Sequence, residues 1–168
     1  MTSSTPSNLA RLDNLIAEEL AAVEDLLSAL KRKQRALIES QPDELEELAQ
    51  RELELGGRLA ALEAERMAAA GELARSCELD PEKATLSELL SIASEDEAVG
   101  VRRRADELRG KLMEISQINE DNYLLAQNQL DYTQMVMRLL VQEAGGTRYG
   151  NDGRVAEQQP RAMLDERI

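Results

Sequence analysis

The sequence predicts an all-α fold: an elongated antiparallel helical hairpin or three-long-helix bundle with coiled-coil-like packing, one short connecting helix and a flexible C-terminal tail. Three observations predict it. The 168 residues include no Phe, Trp or His, and the chain is 2% aromatic and 32% charged. Leu, Ala, Glu and Arg dominate, as in long paired helices. Apolar residues recur three, four and seven positions apart over long stretches, which is one helix face repeated for many turns. Breaks at Pro42, Pro81 and Gly145-Gly146 separate those stretches. A core without Phe or Trp can be filled by Leu, Ile and Val between paired helices, so a compact β-rich globule is not expected.

The first long helix begins near Ser7 or Asn8, either of which can cap it. Leu9, Ile16, Val23, Leu30 and Leu37 follow at intervals of seven, and Leu12, Leu20, Leu26 and Leu27 widen the stripe. Glu19 and Lys33 interrupt it. Such a heptad seam favours left-handed pairing with another helix. Ser40-Gln41-Pro42-Asp43 is the first break. Pro42 suits a first helical turn, and Asp43, Glu44, Glu46 and Glu47 suit the positive end of a helix.

The second long helix carries Leu45, Leu48, Leu55, Leu59, Leu62 and Leu73 on one face. The run Met67-Ala68-Ala69-Ala70 lets a neighbour approach closely. Gly56-Gly57 costs about 1 kcal/mol per residue relative to Ala, so a bend or a tight helix contact is expected there. Cys77 to Ala84 reads as a connection turning at Asp80-Pro81. Thr85-Leu86-Ser87-Glu88 is a capping-box pattern. It opens a short helix through Leu89, Leu90 and Ile92, expected to plug the open end of the bundle.

Ser94-Glu95-Asp96-Glu97 starts the third long helix, predicted from Glu95 to Ala144. Its apolar face is Leu108, Leu112, Ile115, Ile118 and Leu125, continuing through Val136 and Leu140. At ~1.5 Å per residue such a helix runs roughly 75 Å, too long to bury an apolar face alone. The expected division is a disordered segment 1–7, a helical bundle 8–144 and a flexible, partner-binding tail 145–168. In that tail Val155, Met163, Leu164 and Ile168 are scattered apolar points. It reads as disordered when unbound and helical on a partner from Arg161 onward.

Net charge is −13 and the pI is about 4.5, which argues against a nucleic-acid or anionic-membrane surface. From Gly145 onward Arg148, Arg154, Arg161 and Arg167 balance Asp152, Glu157, Asp165 and Glu166, so the deficit sits on the helical body. The N-terminus lacks the basic and apolar regions of a signal peptide, and apolar runs stay below the roughly 20 residues of a membrane helix. The lone Cys77 makes no internal disulfide, and a reducing, cytoplasmic setting is the simplest reading.

Catalysis is not expected, nor is any cofactor or metal. Without His the usual general base and the commonest metal ligand are missing, and Cys77 has no His partner. Glu44, Glu46 and Glu47 read as a solvated face. The spacing Gly150 to Gly153 lacks the Lys-Ser/Thr and the helix of a phosphate loop. Asn119 and Asn122 fall on or beside the apolar stripe, where an Asn fixes register at some cost in stability. Tyr149, in a Gly-flanked segment, reads either as a turn residue or as an aromatic anchor for another protein.

Asn119-x-x-Asn122-x-Leu124-Leu125 in the last long helix, followed by Tyr149-Gly150-x-Asp152-Gly153, resembles the FlgN family of flagellar export chaperones. The order of helices over residues 9 to 153 fits more loosely. The resemblance implies a cytosolic, all-helical chaperone of the flagellar type III secretion system. It would bind hook-associated proteins, which form the hook–filament junction, and deliver them to the export gate. Carried over residue by residue, Tyr149, Gly150, Asp152 and Gly153 would dock on the cytosolic domain of the gate. The end of the third long helix and the tail would hold cargo, with Leu130, Met137, Leu140, Val155, Met163, Leu164 and Ile168 as the apolar contacts. The charge-balanced stretch from Pro160 to Ile168 departs from the basic tails the family can carry. The alternative is a structural coiled-coil adaptor without chaperone activity, oligomerising through the seam from Leu9 to Leu37; a homodimer is among the expected assemblies.

Overall fold

The computed structural model describes residues 5–144, with side chains from 8 to 142. Four helices follow in order: α1 (Thr5–Glu39), α2 (Pro42–Ser76), α3 (Leu86–Ser91) and α4 (Glu95–Ala144). No strand occurs among the described residues. The chain divides into two units, Met1–Leu125 and Ala126–Ile168.

α1 starts at Thr5, so Ser7 and Asn8, the expected caps, lie inside its first turns. At its other end Ser40 takes the left-handed conformation, φ 55°. The Gln41 N–H donates to Ala36 O at 2.9 Å and the Ser40 N–H to Leu37 O at 3.3 Å. That pair of bonds is a Schellman closure. α2 follows at once with Pro42 in its first turn and with no side-chain cap from Gln41. α2 ends the same way: Glu78 has φ 60°, Leu79 N–H donates to Ala74 O at 2.9 Å and Glu78 N–H to Arg75 O at 3.2 Å. Neither closure uses the glycine that this backbone favours.

Cross-helix ion pairs set the register. Arg11–Glu72, Glu19–Arg66, Lys33–Glu52 and Arg32–Glu44 run in opposite chain directions, so α1 and α2 form an antiparallel hairpin. Asp13–Arg104 and Lys31–Glu114 rise together, so the first part of α4 lies parallel to α1. The heptad residues Leu9, Ile16, Val23, Leu30 and Leu37 are all buried. Leu9, Ile16, Val23 and Leu30 share one core cluster with Leu62, Ala69 and Leu73 of α2 and Val101, Leu108 and Ile115 of α4, while Leu48 and Leu55 of α2 form a second with Ala29 and Ala36 of α1. Each fully buried Leu contributes about 1.5–3 kcal/mol by leaving water. The seam offered to a second chain by the adaptor alternative is thus filled by this chain's own α2 and α4.

The two residues that interrupt the α1 stripe are matched by opposite charges on α2. Glu19, 5% exposed, accepts a hydrogen bond from Arg66 Nε at 2.6 Å, and Lys33 donates to Glu52 at 2.9 Å. A charge in a seam is tolerable when a partner replaces its lost hydration.

Gly56-Gly57 lies within α2, and a Cβ added at either position would meet nothing within 4 Å. Tight contact with another helix among the described residues is therefore not the reason for the pair. Thr85 and Glu88 form the expected capping box: the Thr85 N–H donates to Glu88 Oε2 at 2.7 Å and the Glu88 N–H to Thr85 Oγ1 at 3.3 Å. The bond from the Thr85 backbone, then that from its hydroxyl, holds the Glu88 carboxyl below its ordinary pKa. α3 buries Leu89 and Leu90 in the main core cluster, while Ile92 stays exposed.

On α4 the buried heptad positions are Val101, Leu108, Ile115 and Asn122, flanked by half-buried Arg104, Lys111, Ile118 and Leu125. Leu112, expected on this face, is exposed. The partly covered side of the seam falls three residues after each heptad position, and Leu112 lies one residue beyond it, toward solvent.

Candidate functional site

Among the described residues the groups able to do acid–base or metal chemistry are dispersed. Among the described residues no group of three His, Cys, Asp or Glu stands where it could hold a metal ion. Cys77 is half-buried at the end of α2, with Ser76 Oγ 3.8 Å from its sulfur. Glu114 is held below its ordinary pKa chiefly by the hydrogen bond from Lys31 at 2.7 Å. Both side chains lie at the surface, so this is a solvated pair.

The polar residue set apart by its surroundings is Asn122. It occupies the heptad position after Ile115 and is 3% exposed. Its Nδ2 donates to the Leu30 carbonyl at 3.0 Å, and its Oδ1 is buried without a partner. The bond ties α4 to α1 at this point, and an amide half-satisfied in an apolar seam costs stability. Asn119, three residues earlier, is exposed, as is Leu124, and Leu125 is half-buried. The two asparagines thus lie in different surroundings, and only Asn122 reaches the seam.

In the second unit the described residues form the last part of α4. Leu130, Met137 and Leu140, expected as apolar contacts for another protein, are all exposed. Tyr132, Met135, Leu139 and Val141 are exposed with them, at 50–65%, and Val136 is half-buried. Sequence reasoning missed those four. The signal was the near-unbroken run Met135-Val136-Met137-x-Leu139-Leu140-Val141, too dense for a helix with one covered face. Between Leu130 and Val141 the only charges are Asp131 and Arg138. Together these side chains make an apolar stretch with few charges on the described end of α4. The remaining expected contacts, Tyr149, Gly150, Asp152, Gly153, Val155, Met163, Leu164 and Ile168, lie outside the described residues.

No helix among the described residues is long and apolar enough to cross a membrane. A family model described as FlgN protein matches residues 1–157, which takes in both the three-helix core and the exposed end of α4. Neither the curated proteins nor the solved structures give a match to this chain.

Proposed function

We propose a cargo-holding function from one premise: the chain belongs to the FlgN family of flagellar export chaperones. It acts in the cytoplasm, binds hook-associated proteins, blocks their premature assembly and delivers them to the cytosolic domain of the export gate. Such cargo ends in helices that assemble only outside the cell and expose apolar stripes until then. The observation that carries this reading is the exposed apolar stretch at the end of α4, where Leu130, Met137 and Leu140 are each more than half exposed. A helix offering that surface can cover a cargo stripe without ATP or any covalent step. Reversible delivery suits a Kd between micromolar and nanomolar, about −8 to −12 kcal/mol.

The segment after Ala144 is assigned two tasks. Val155, Met163, Leu164 and Ile168 extend the grip on cargo, and Tyr149 with Gly150, Asp152 and Gly153 docks on the gate. The test is titration calorimetry with a purified hook-associated protein. The triple variant Leu130→Glu, Met137→Glu, Leu140→Glu should lose most of the heat of binding while its helicity is unchanged, and deletion of 145–168 should weaken binding too. Tyr149→Ala should spare cargo and weaken the gate interaction alone. Wild-type heats from the triple variant would refute the cargo site. A concentration-dependent oligomer with no affinity for any hook-associated protein would favour the adaptor alternative instead.

A further inference from the structure

We propose that residues 130–141 take two partner helices at once, a helical hairpin of the cargo, and not a single amphipathic helix. This rests on the cargo-holding reading and specifies what the cargo must present. Successive residues of an α-helix are turned by about 100°. Placed on that wheel, Tyr132, Met135 and Leu139 form one flank, and Leu130, Met137 and Val141 form another. Val136 and Leu140 lie between the two. Together they span an arc of roughly 240°, whereas one packed helix covers a stripe on the order of 100° wide. A single partner helix would leave one flank in water.

The rest of the circumference is a narrow polar ridge of Asp131, Gln134, Arg138 and Gln142, spaced three, four and four residues apart. The Arg138 Nε donates to the Gln134 carbonyl at 3.3 Å, so that side chain bonds along its own ridge. Thr133 falls within the apolar arc, but its hydroxyl donates to the Gln129 carbonyl at 2.9 Å and asks nothing of a partner. The ridge stays in solvent where the outer edges of the two partner helices stop. With one acidic and one basic charge in the stretch, the partner helices are apolar on their inner faces and need no basic residues, despite the acidity of the whole chain. The stretch spans about 18 Å, so each partner helix needs some three turns of apolar face.

Two other occupants fit less well. The chain's own residues 145–168 offer Tyr149, Val155, Met163, Leu164 and Ile168 as large apolar residues, and their one cluster, Met163, Leu164 and Ile168, matches one flank and leaves the other open. A second copy pairing through its own residues 130–141 would bring one helix, covering one flank and leaving the other open.

Two double variants of the full chain test the proposal, read by calorimetry against a full-length hook-associated protein with helicity checked for each. Met135→Glu with Leu139→Glu charges one flank, and Met137→Glu with Val141→Glu charges the other. Gln134→Glu on the ridge is the control. Both doubles should weaken binding at least about tenfold, since each places charge in an apolar contact, and the control should change it by less than about twofold. Loss in one double alone leaves the cargo site standing and overturns the hairpin. Loss in neither overturns the cargo site itself. Photo-crosslinkers at 135 and at 141 should then capture two different helices of one cargo molecule. Capture of residues 145–168 of the same chain, or of a second copy, at either position would overturn the hairpin.

Discussion

Between Ala98 and Ile115, α4 buries Ala98, Val101, Leu108 and Ile115 and carries eight charges on its remaining surface. Between Leu130 and Val141 it leaves every apolar side chain but Val136 exposed and carries two charges. Both stretches are helical and both are rich in Leu, Val and Met or Ile, so propensity does not separate them. The difference is angular. In the first, most apolar residues return to one side of the helix, which one neighbouring hairpin can cover, and Val99 and Met113 stand outside it. In the second they fill most of the circumference, and a helix apolar nearly all round has to be surrounded. The comparison teaches that the width of an apolar arc, more than its total hydrophobicity, tells how many neighbours a helix requires.

The largest effects should come from the covered region. Leu12→Ala or Leu30→Ala, both 1% exposed, should destabilise the fold by about 2–5 kcal/mol in urea unfolding, from lost transfer energy and the cavity left behind. Leu139→Ala and Leu140→Ala in the open region should shift stability by no more than about 0.5 kcal/mol. Equal losses at both kinds of site would break the comparison. Arg66→Ala, which strips the buried Glu19 of its donor, should cost about 1–3 kcal/mol.

Asn122→Leu sharpens the comparison from the other side. It removes the unpartnered Oδ1 and fills the seam, so stability should rise by about 1 kcal/mol while the register of α4 on α1 becomes less fixed. A fall in unfolding midpoint would show that the bond to Leu30 O outweighs the orphaned oxygen. Gly57→Ala, with open space for its Cβ, should stabilise by up to about 1 kcal/mol. No gain would mean that the glycine pair serves something outside the chain.

The smallest effect is that of pH. Glu88 and Glu114 both have lowered folded values, so the unfolded chain binds more protons as acidity rises. Their contribution is complete above the ordinary glutamate value of 4.5 and disappears as pH falls through their folded values. Thermal midpoints should therefore decline on acidification, and Glu88→Gln should blunt part of that decline.

Much of this was written locally. The heptad of α1, the apolar face of α2, the break at Pro42 and the capping box at Thr85 follow from side-chain spacing and from the backbone chemistry of Pro. These act within a few residues and need no partner to be read. The family, too, was legible in the Asn119 to Leu125 pattern with Tyr149 to Gly153. Tertiary structure decided which of two adjacent apolar positions faces the seam, as with Ile115 against Leu112, and which of two asparagines is buried. It also decided that the charges breaking the α1 stripe meet Arg66 and Glu52, and that a Cβ at Gly56 or Gly57 meets nothing within 4 Å among the described residues. Those outcomes depend on where a second helix lies to within a fraction of a turn, and periodicity along one helix holds no information about the azimuth of its neighbour.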